Sequence, residues 1–354
     1  MKKSLQQRLA VLISFLMTFP VIADIEIEKI FGPETPTGQY KHPSTITELD
    51  NGDLYLAYYG GAGEYAEATR VFGSRKVHGS DQWSEPVVIA SNPFRSLGNP
   101  VLWQSPDGLV WLFYVTRFGE TWSTSRVKGK ISRDRGQTWS DSFLVTMEPG
   151  TMVRSRPILL NNGDYLLPIY HETGADTEFT GADTSTFFVR FDPKSGTWTS
   201  TEKIFARMGI LQAAVVQVTD CHLIAYCRRG GSYEPIEDGF MVRTESHDGG
   251  KTWSPGVDTE FPNPNAAVEF IRLKSGALLL IYNDSMSDRT PLRMALSLDG
   301  GKTFPFQKNI VEGPGSFSYP TAIQTRDGKI HVTYTSDDRT TIRHATLEES
   351  DLRN

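Results

Sequence analysis

Ser132-Arg133-Asp134-Arg135-Gly136-Gln137-Thr138-Trp139 is the stretch that decides how this chain folds. Its Asp is suited to accept backbone N–H groups in a turn, its Gly to supply positive φ, and its Trp to pack between strands. The phrase recurs as Ser246-His247-Asp248-Gly249-Gly250-Lys251-Thr252-Trp253, and again from Ser297 to Phe304 with Phe in the last place. Degraded copies end at Trp83 and Trp198. The repeated Asp invites a catalytic reading. Repetition argues for a structural one, because chemistry needs a single asymmetric site.

Outward from each copy lies a second phrase, a turn followed by an alternating strand that ends near Tyr. It runs from Asp50-Asn51-Gly52 to Tyr58, from Pro106-Asp107-Gly108 to Tyr114, and from Asn161-Asn162-Gly163 to Tyr170. It continues from Thr219-Asp220-Cys221 to Tyr226, from Lys274-Ser275-Gly276 to Tyr282, and from Arg326-Asp327-Gly328 to Tyr334. Asn-Gly and Asp-Gly between alternating strands signal hairpins. Six near-equal periods of about 55 residues, each with strands every dozen residues, imply four-stranded blades. The expectation is an all-β, six-bladed β-propeller of four-stranded antiparallel blades. The last period lacks room for a fourth strand, and the alternating segment 24–31 can supply it, which closes the ring and hides a sheet edge.

The composition fits a globular chain: 354 residues, 38% hydrophobic, 31 Gly and 20 Pro. A net charge of −6 argues against a nucleic-acid binder, whose phosphate contacts need clustered Lys and Arg. Lys2, Lys3 and Arg8, the apolar run Leu9 to Phe19, and Val21-Ile22-Ala23 have the layout of a cleavable export signal over 1–23. The propeller is then expected over 24–354, exported to the periplasm or medium, with no membrane span in the mature form. Cys221 and Cys227 flank one short strand, too far apart to bridge, and are expected to be free and packed. No cofactor motif and no Cys/His metal spacing is present in the sequence, so no cofactor and no metal at the site are expected, while a structural cation in a loop is left open.

In a meander, the start of one strand and the end of the next share an edge. The innermost strands open at Lys41-His42-Pro43, Asn99-Pro100, Arg156-Pro157, Gln212-Ala213, Asn265-Ala266 and Tyr319-Pro320. The second strands end at Tyr58-Tyr59, Tyr114 to Arg117, Tyr170-His171-Glu172, Cys227-Arg228-Arg229, Tyr282-Asn283-Asp284 and Tyr334 to Asp337. These polar positions are expected to converge on one mouth of the central funnel. Lys41, Asn99, Arg156, Gln212, Asn265 and Asp284 are candidate binding groups. Glu64 and Glu67 in the Gly-rich loop, Glu172 and Asp284 are candidate acids. His42 and His171 titrate near neutrality and are candidate general acids or bases.

The boxes on a six-fold period resemble the sialidase (neuraminidase) superfamily, particularly bacterial members with BNR repeats. The resemblance implies a propeller that binds an acidic sugar with three Arg, with a Tyr nucleophile, a Glu beside it and an acidic proton donor. It places the second Arg at Arg228, the third at Arg289, the nucleophile at Tyr319 and the proton donor near Glu64. Two positions depart from the pattern. Lys41-His42-Pro43 stands where the family carries Arg-Ile-Pro, and Gln212 stands where it carries the Glu that activates the Tyr.

The function expected is an exo-acting glycosidase on an acidic glycan, with Arg228 and Arg289 holding an anion, Tyr319 at the anomeric centre, and Glu64 or Glu172 moving the proton. The alternatives are a polysaccharide lyase or another glycosidase using His42 or His171, and a non-catalytic glycan-binding propeller.

Overall fold

A computed structural model describes residues 25–67, 69–175 and 179–353. The expected export signal lies outside the described residues. Six antiparallel sheets follow one another along the chain. The first blade is built from Tyr40–Glu48, Leu54–Gly61, Arg70–Lys76 and Val87–Ala90, each strand paired with the next. The innermost strands pack against one another around the ring, with Tyr40–Glu48 touching both Leu97–Gln104 and Ser318–Gln324. The sixth blade takes its outermost strand, Glu26–Phe31, from the other end of the chain, with Glu26 opposite Thr346 and Glu28 opposite His344. The expected closure is present.

The repeated phrase is a turn with one hydrogen-bond pattern. In all three complete copies the Ser Oγ donates to the Asp carboxylate, at Ser132–Asp134, Ser246–Asp248 and Ser297–Asp299. The Asp then accepts from the backbone N–H of Thr138, Thr252 or Thr303. The closing aromatic packs against the preceding blade. Trp139 stacks on Tyr55, and Trp253 on Phe188 at 4.0 Å between ring centroids. Blade-to-blade cohesion is thus apolar burial set in place by polar turns.

Blade three departs from four simple strands. Its innermost strand is broken into Thr151–Val153 and Ile158–Leu159, both paired with Tyr165–His171. Pro157 sits in the gap and has no N–H to give to a ladder. Cys227 is buried, but Cys221 is exposed, contrary to expectation. Cys221 occupies the tight-turn position that is Gly in the other five blades, where a side chain points to solvent.

Four innermost strands share a defect that aims side chains inward. One extra residue is inserted between Lys41 and Ser44, between Gly98 and Val101, between Leu211 and Ala214, and between Ser318 and Thr321. These bulges hold His42, Asn99, Gln212 and Tyr319. Asn99, Gln212 and Tyr319 have φ of 44°, 54° and 56°, and Asn265 in blade five has 54°. A left-handed Tyr is strained, and strain of this kind persists where the surroundings over-determine it.

Candidate active site

Tyr319 is the centre of the funnel mouth. Its ring stands edge-on to the His42 ring at 4.2 Å between centroids. The Arg154 and Arg289 guanidinium groups lie 5.4 and 5.6 Å from its ring centroid. Arg228 donates through Nη1 to the Tyr319 hydroxyl at 2.7 Å. Burial opposes ionisation of the phenol, but the charges of Arg228 and Arg289 outweigh it and hold Tyr319 below the usual tyrosine pKa.

Arg228 is almost fully engaged. Nε donates to Asn265 Oδ1 at 2.6 Å, Nη1 also to Gln212 Oε1 at 3.2 Å, and Nη2 to the Tyr233 hydroxyl at 2.8 Å. Gln212 and Asn99 both donate to the Tyr170 hydroxyl, at 3.2 and 3.0 Å. The inward amides therefore brace Arg228 and Tyr170. Arg289 is less committed, with Nη2 at 3.3 Å from the Asn265 carbonyl oxygen.

Among the described residues, three carboxylates line the cavity: Glu64, Glu172 and, at the outer wall, Asp338. Glu64, on the Gly-rich loop, is ion-paired with Arg339. Glu172 lines the deeper recess with His42, Asn99, Gln212, Arg228 and Tyr319. Loss of solvent pushes Glu172 up to about 7, against the pull of Arg228. His42 donates to or accepts from Thr335 Oγ1 through Nδ1 at 3.0 Å. Burial, then the charges of Arg339, Arg289, Arg154 and Arg228, keep its pKa far below the usual range, so the ring is neutral. The outer part of the cavity holds ≈ 410 Å³ between Glu64, Tyr65, Tyr233, Arg289, Tyr319 and Arg339. That is room for a small ligand. Among the described residues, no cluster of His, Cys and acidic side chains in the cavity has metal-ligand spacing.

Eight expected residues thus meet at one mouth: His42, Glu64, Asn99, Glu172, Gln212, Arg228, Arg289 and Tyr319. Asn265 stands behind them, holding Arg228. Four do not. Lys41 is fully buried on the side away from the cavity and donates to the Gly38 carbonyl oxygen at 2.5 Å, because the strand alternates and its neighbour His42 takes the inward place. His171 turns away to Glu148, 3.3 Å from Nε2. Asp284 is ion-paired with Arg293 outside the cavity. Arg156 faces a separate recess shared with Trp103, Glu269 and Arg272. The broken strand of blade three presents Arg154 to Tyr319 instead, fixed by Nη1 to Thr321 Oγ1 and Nη2 to the Pro320 carbonyl oxygen. Glu67 is exposed on its loop.

Three further residues were not anticipated: Arg154, Tyr233 and Arg339. Tyr170 was expected at the rim without a role, and it lines the recess as the acceptor for Asn99 and Gln212. Arg339 had no signal in the sequence. It follows Asp337 and Asp338 in a turn where all three have positive φ, without a Gly to mark it.

Residues 52–332 match the model of the BNR repeat-like domain family. The chain belongs to that family. This BNR-repeat chain is 25% identical over 343 residues to a sialidase of Micromonospora viridifaciens, across 86% of its own length. It spans about half the length of that relative, 51%. Its fold is similar to that of the Hadza microbial sialidase Hz136, with a TM-score of 0.77 at 16% identity over 92% of this chain and 69% of the other. It is also similar in fold to the α-L-arabinofuranosidase Arb93A of Fusarium graminearum, with a TM-score of 0.65 at 14% identity over 93% and 99% of the two chains. The frame is thus shared with enzymes named for different sugars, and the fold by itself assigns no substrate.

Proposed function

We propose that this propeller is an exported, exo-acting glycoside hydrolase of the sialidase-like type, acting on a terminal sugar that carries an anionic group. The observation that carries the reading is the Tyr319 hydroxyl held at 2.7 Å by Arg228 Nη1. A phenol is a poor nucleophile at its ordinary pKa near 10, and a fixed cation beside the oxygen favours the phenolate that attacks. Gln212 stands where a carboxylate base is expected and cannot take a proton. The activation of Tyr319 is therefore electrostatic, supplied by Arg228 and Arg289.

Tyr319 Oη attacks the anomeric carbon as the bond to the aglycone oxygen breaks, and Glu172 gives its proton to that oxygen. A carboxyl with pKa about 7 is still substantially protonated at neutral pH and fits this role. Water then displaces Tyr319, with the Glu172 carboxylate taking the proton back. Arg289, whose guanidinium has donors to spare, takes the anionic substituent, ideally in a two-pronged contact. Glu64 is tied to Arg339 and shapes the mouth. His42, neutral and packed on Tyr319, keeps the phenol in place.

The test is a screen of the purified chain on sialosides, uronic-acid glycans, sulfated polysaccharides and neutral arabinosides, with Tyr319→Phe in parallel. Hydrolysis confined to an acidic class and lost in the variant supports the reading. An unsaturated, ultraviolet-absorbing product would instead indicate a lyase. Binding without turnover on every acidic glycan would leave a lectin-like role. Preference for the arabinosides would sink the anionic assignment.

A further inference from the structure

We propose that blade four carries a binding site for a divalent transition metal of the Zn²⁺ class, formed by His222, Glu245 and His247. His222 immediately precedes the strand Leu223–Arg229, whose other end delivers Arg228 to the cavity. The site therefore sits at the opposite end of the propeller from Tyr319 and takes no part in the chemistry there.

The three side chains already converge. His222 Nε2 lies 2.7 Å from Glu245 Oε2, and His247 Nε2 lies 3.8 Å from the same oxygen. Their prospective ligand atoms all fall within 4.8 Å of one another. A tetrahedral Zn²⁺ with bonds of about 2.0–2.2 Å holds neighbouring ligand atoms roughly 3.4 Å apart. The required adjustment is about an ångström. His247 is free to make it, since its side chain is 74% exposed. The two imidazole rings are stacked, 4.7 Å apart and 14° from parallel, both edges reaching the one carboxylate. Arg243 holds the other oxygen, Glu245 Oε1, at 2.9 Å, which orients the carboxylate and leaves Oε2 to the site. Two imidazoles and one carboxylate suit Zn²⁺ and its neighbours, whereas Ca²⁺ and Mg²⁺ prefer sets made wholly of oxygen.

The internal repeat supplies an independent reason. The position of His222 is occupied in the other blades by Asp53, Leu109, Asp164, Ala277 and Lys329. In the other complete copies of the turn, Ile131 and Leu296 stand at the place of Glu245, and Arg133 and Leu298 at the place of His247. The turn itself needs none of the three. Ser246, Asp248 and Thr252 make the same bonds in blade four as their counterparts do elsewhere. Three departures from the repeat occur in one blade and meet at one point. A bound ion would tie the turn before the second strand to the turn after the third, a cross-link within the blade.

The experiment uses the untagged chain, stripped with EDTA and titrated with ZnCl₂ by calorimetry, with thermal melting alongside. One Zn²⁺ bound per chain at micromolar concentration, with a raised melting midpoint, is expected, and no heat from CaCl₂. His247→Gln and the double variant His222→Gln/His247→Gln should bind at least about tenfold more weakly. Both should melt at the wild-type midpoint in EDTA, because the turn keeps its own hydrogen bonds. Absence of stoichiometric Zn²⁺ binding, an isotherm unchanged in the double variant, or equal binding of Ca²⁺ would each overturn the proposal. Glycosidase activity is not the readout, so the result stands apart from the reading of the funnel mouth.

Discussion

Arg228 and Tyr319 lie 91 residues apart, in blades four and six, and their side chains meet at 2.7 Å through Nη1 and the phenolic hydroxyl. Each is held by a different device. Arg228 ends an ordinary strand and is gripped by Asn265, Gln212 and Tyr233. Tyr319 is thrown inward by a bulge, in a left-handed conformation. A contact assembled from two blades is only as accurate as the ring that spaces them, and this ties the geometry of the mouth to closure of the propeller.

Tyr319→Phe keeps the ring between His42 and Arg154 and removes only the oxygen. Turnover of the preferred glycoside should fall on the order of 10³-fold or more. The unfolding free energy should change by no more than about 1 kcal/mol. A loss of turnover matched by a loss of folded protein would assign Tyr319 to packing.

Arg228 and Arg289 should separate kinetically. Arg289→Ala removes the guanidinium with spare donors and should raise KM for an acidic substrate, a loss of about 2–3 kcal/mol for a charge-assisted contact. Arg228→Ala removes the one guanidinium bonded to the Tyr319 hydroxyl, leaving Arg289 only over the ring, and should act chiefly on kcat. The same effect of both variants on KM alone would show that Arg228 only binds.

Glu172 predicts a pH limit. Its pKa in the folded chain is about 7 against an ordinary 4.5, so the protonated form is the favoured one. As proton donor it requires kcat/KM to decline as pH rises through about 7. The same shift contributes stability that is complete below about 4.5 and lost as pH climbs through about 7. Glu172→Gln should abolish that limb of the rate profile with most of the activity. It should also raise the melting midpoint at pH 8, by about 1–3 kcal/mol of stability, and leave it unchanged near pH 4. Equal melting of the two proteins at pH 8 would contradict the raised pKa of Glu172.

Arg135 is a candidate for stabilisation. It has φ of 60° at the place where the other two complete turns carry Gly249 and Gly300. Arg135→Gly relieves a left-handed side chain at about 1 kcal/mol and loses an exposed ion pair with Asp50, which contributes less. Chemical denaturation should register a net gain near 0.5 kcal/mol, and a loss would show that the Asp50 pair dominates.

The propeller was legible in the sequence because its determinants are local and repeated. Gly at the tight turns, the Ser and Asp of the second turn and its closing aromatic all act within about a dozen residues. The mouth was legible where a residue before Pro marks the bulge, as with His42, Asn99 and Tyr319. The same cue misled at Arg156, because Pro157 breaks that strand and Arg154 is left facing Tyr319. At Lys41 and His171 the error was one residue of alternation, which sends a side chain to the opposite face. Arg339 depends on a three-residue left-handed turn, and nothing in Asp-Asp-Arg announces one.

Pairing of Glu26–Phe31 with Thr341–Leu347 also orders events during synthesis. The His344 ring meets the Glu28 carboxylate 316 positions after the ribosome has released that acid. Until then a growing chain holds an orphaned first strand and a gap beside blade one, so Tyr319 and Arg228 cannot settle into register. The contact between Arg228 and Tyr319 therefore waits on the final hairpin, rather than forming as each blade is completed.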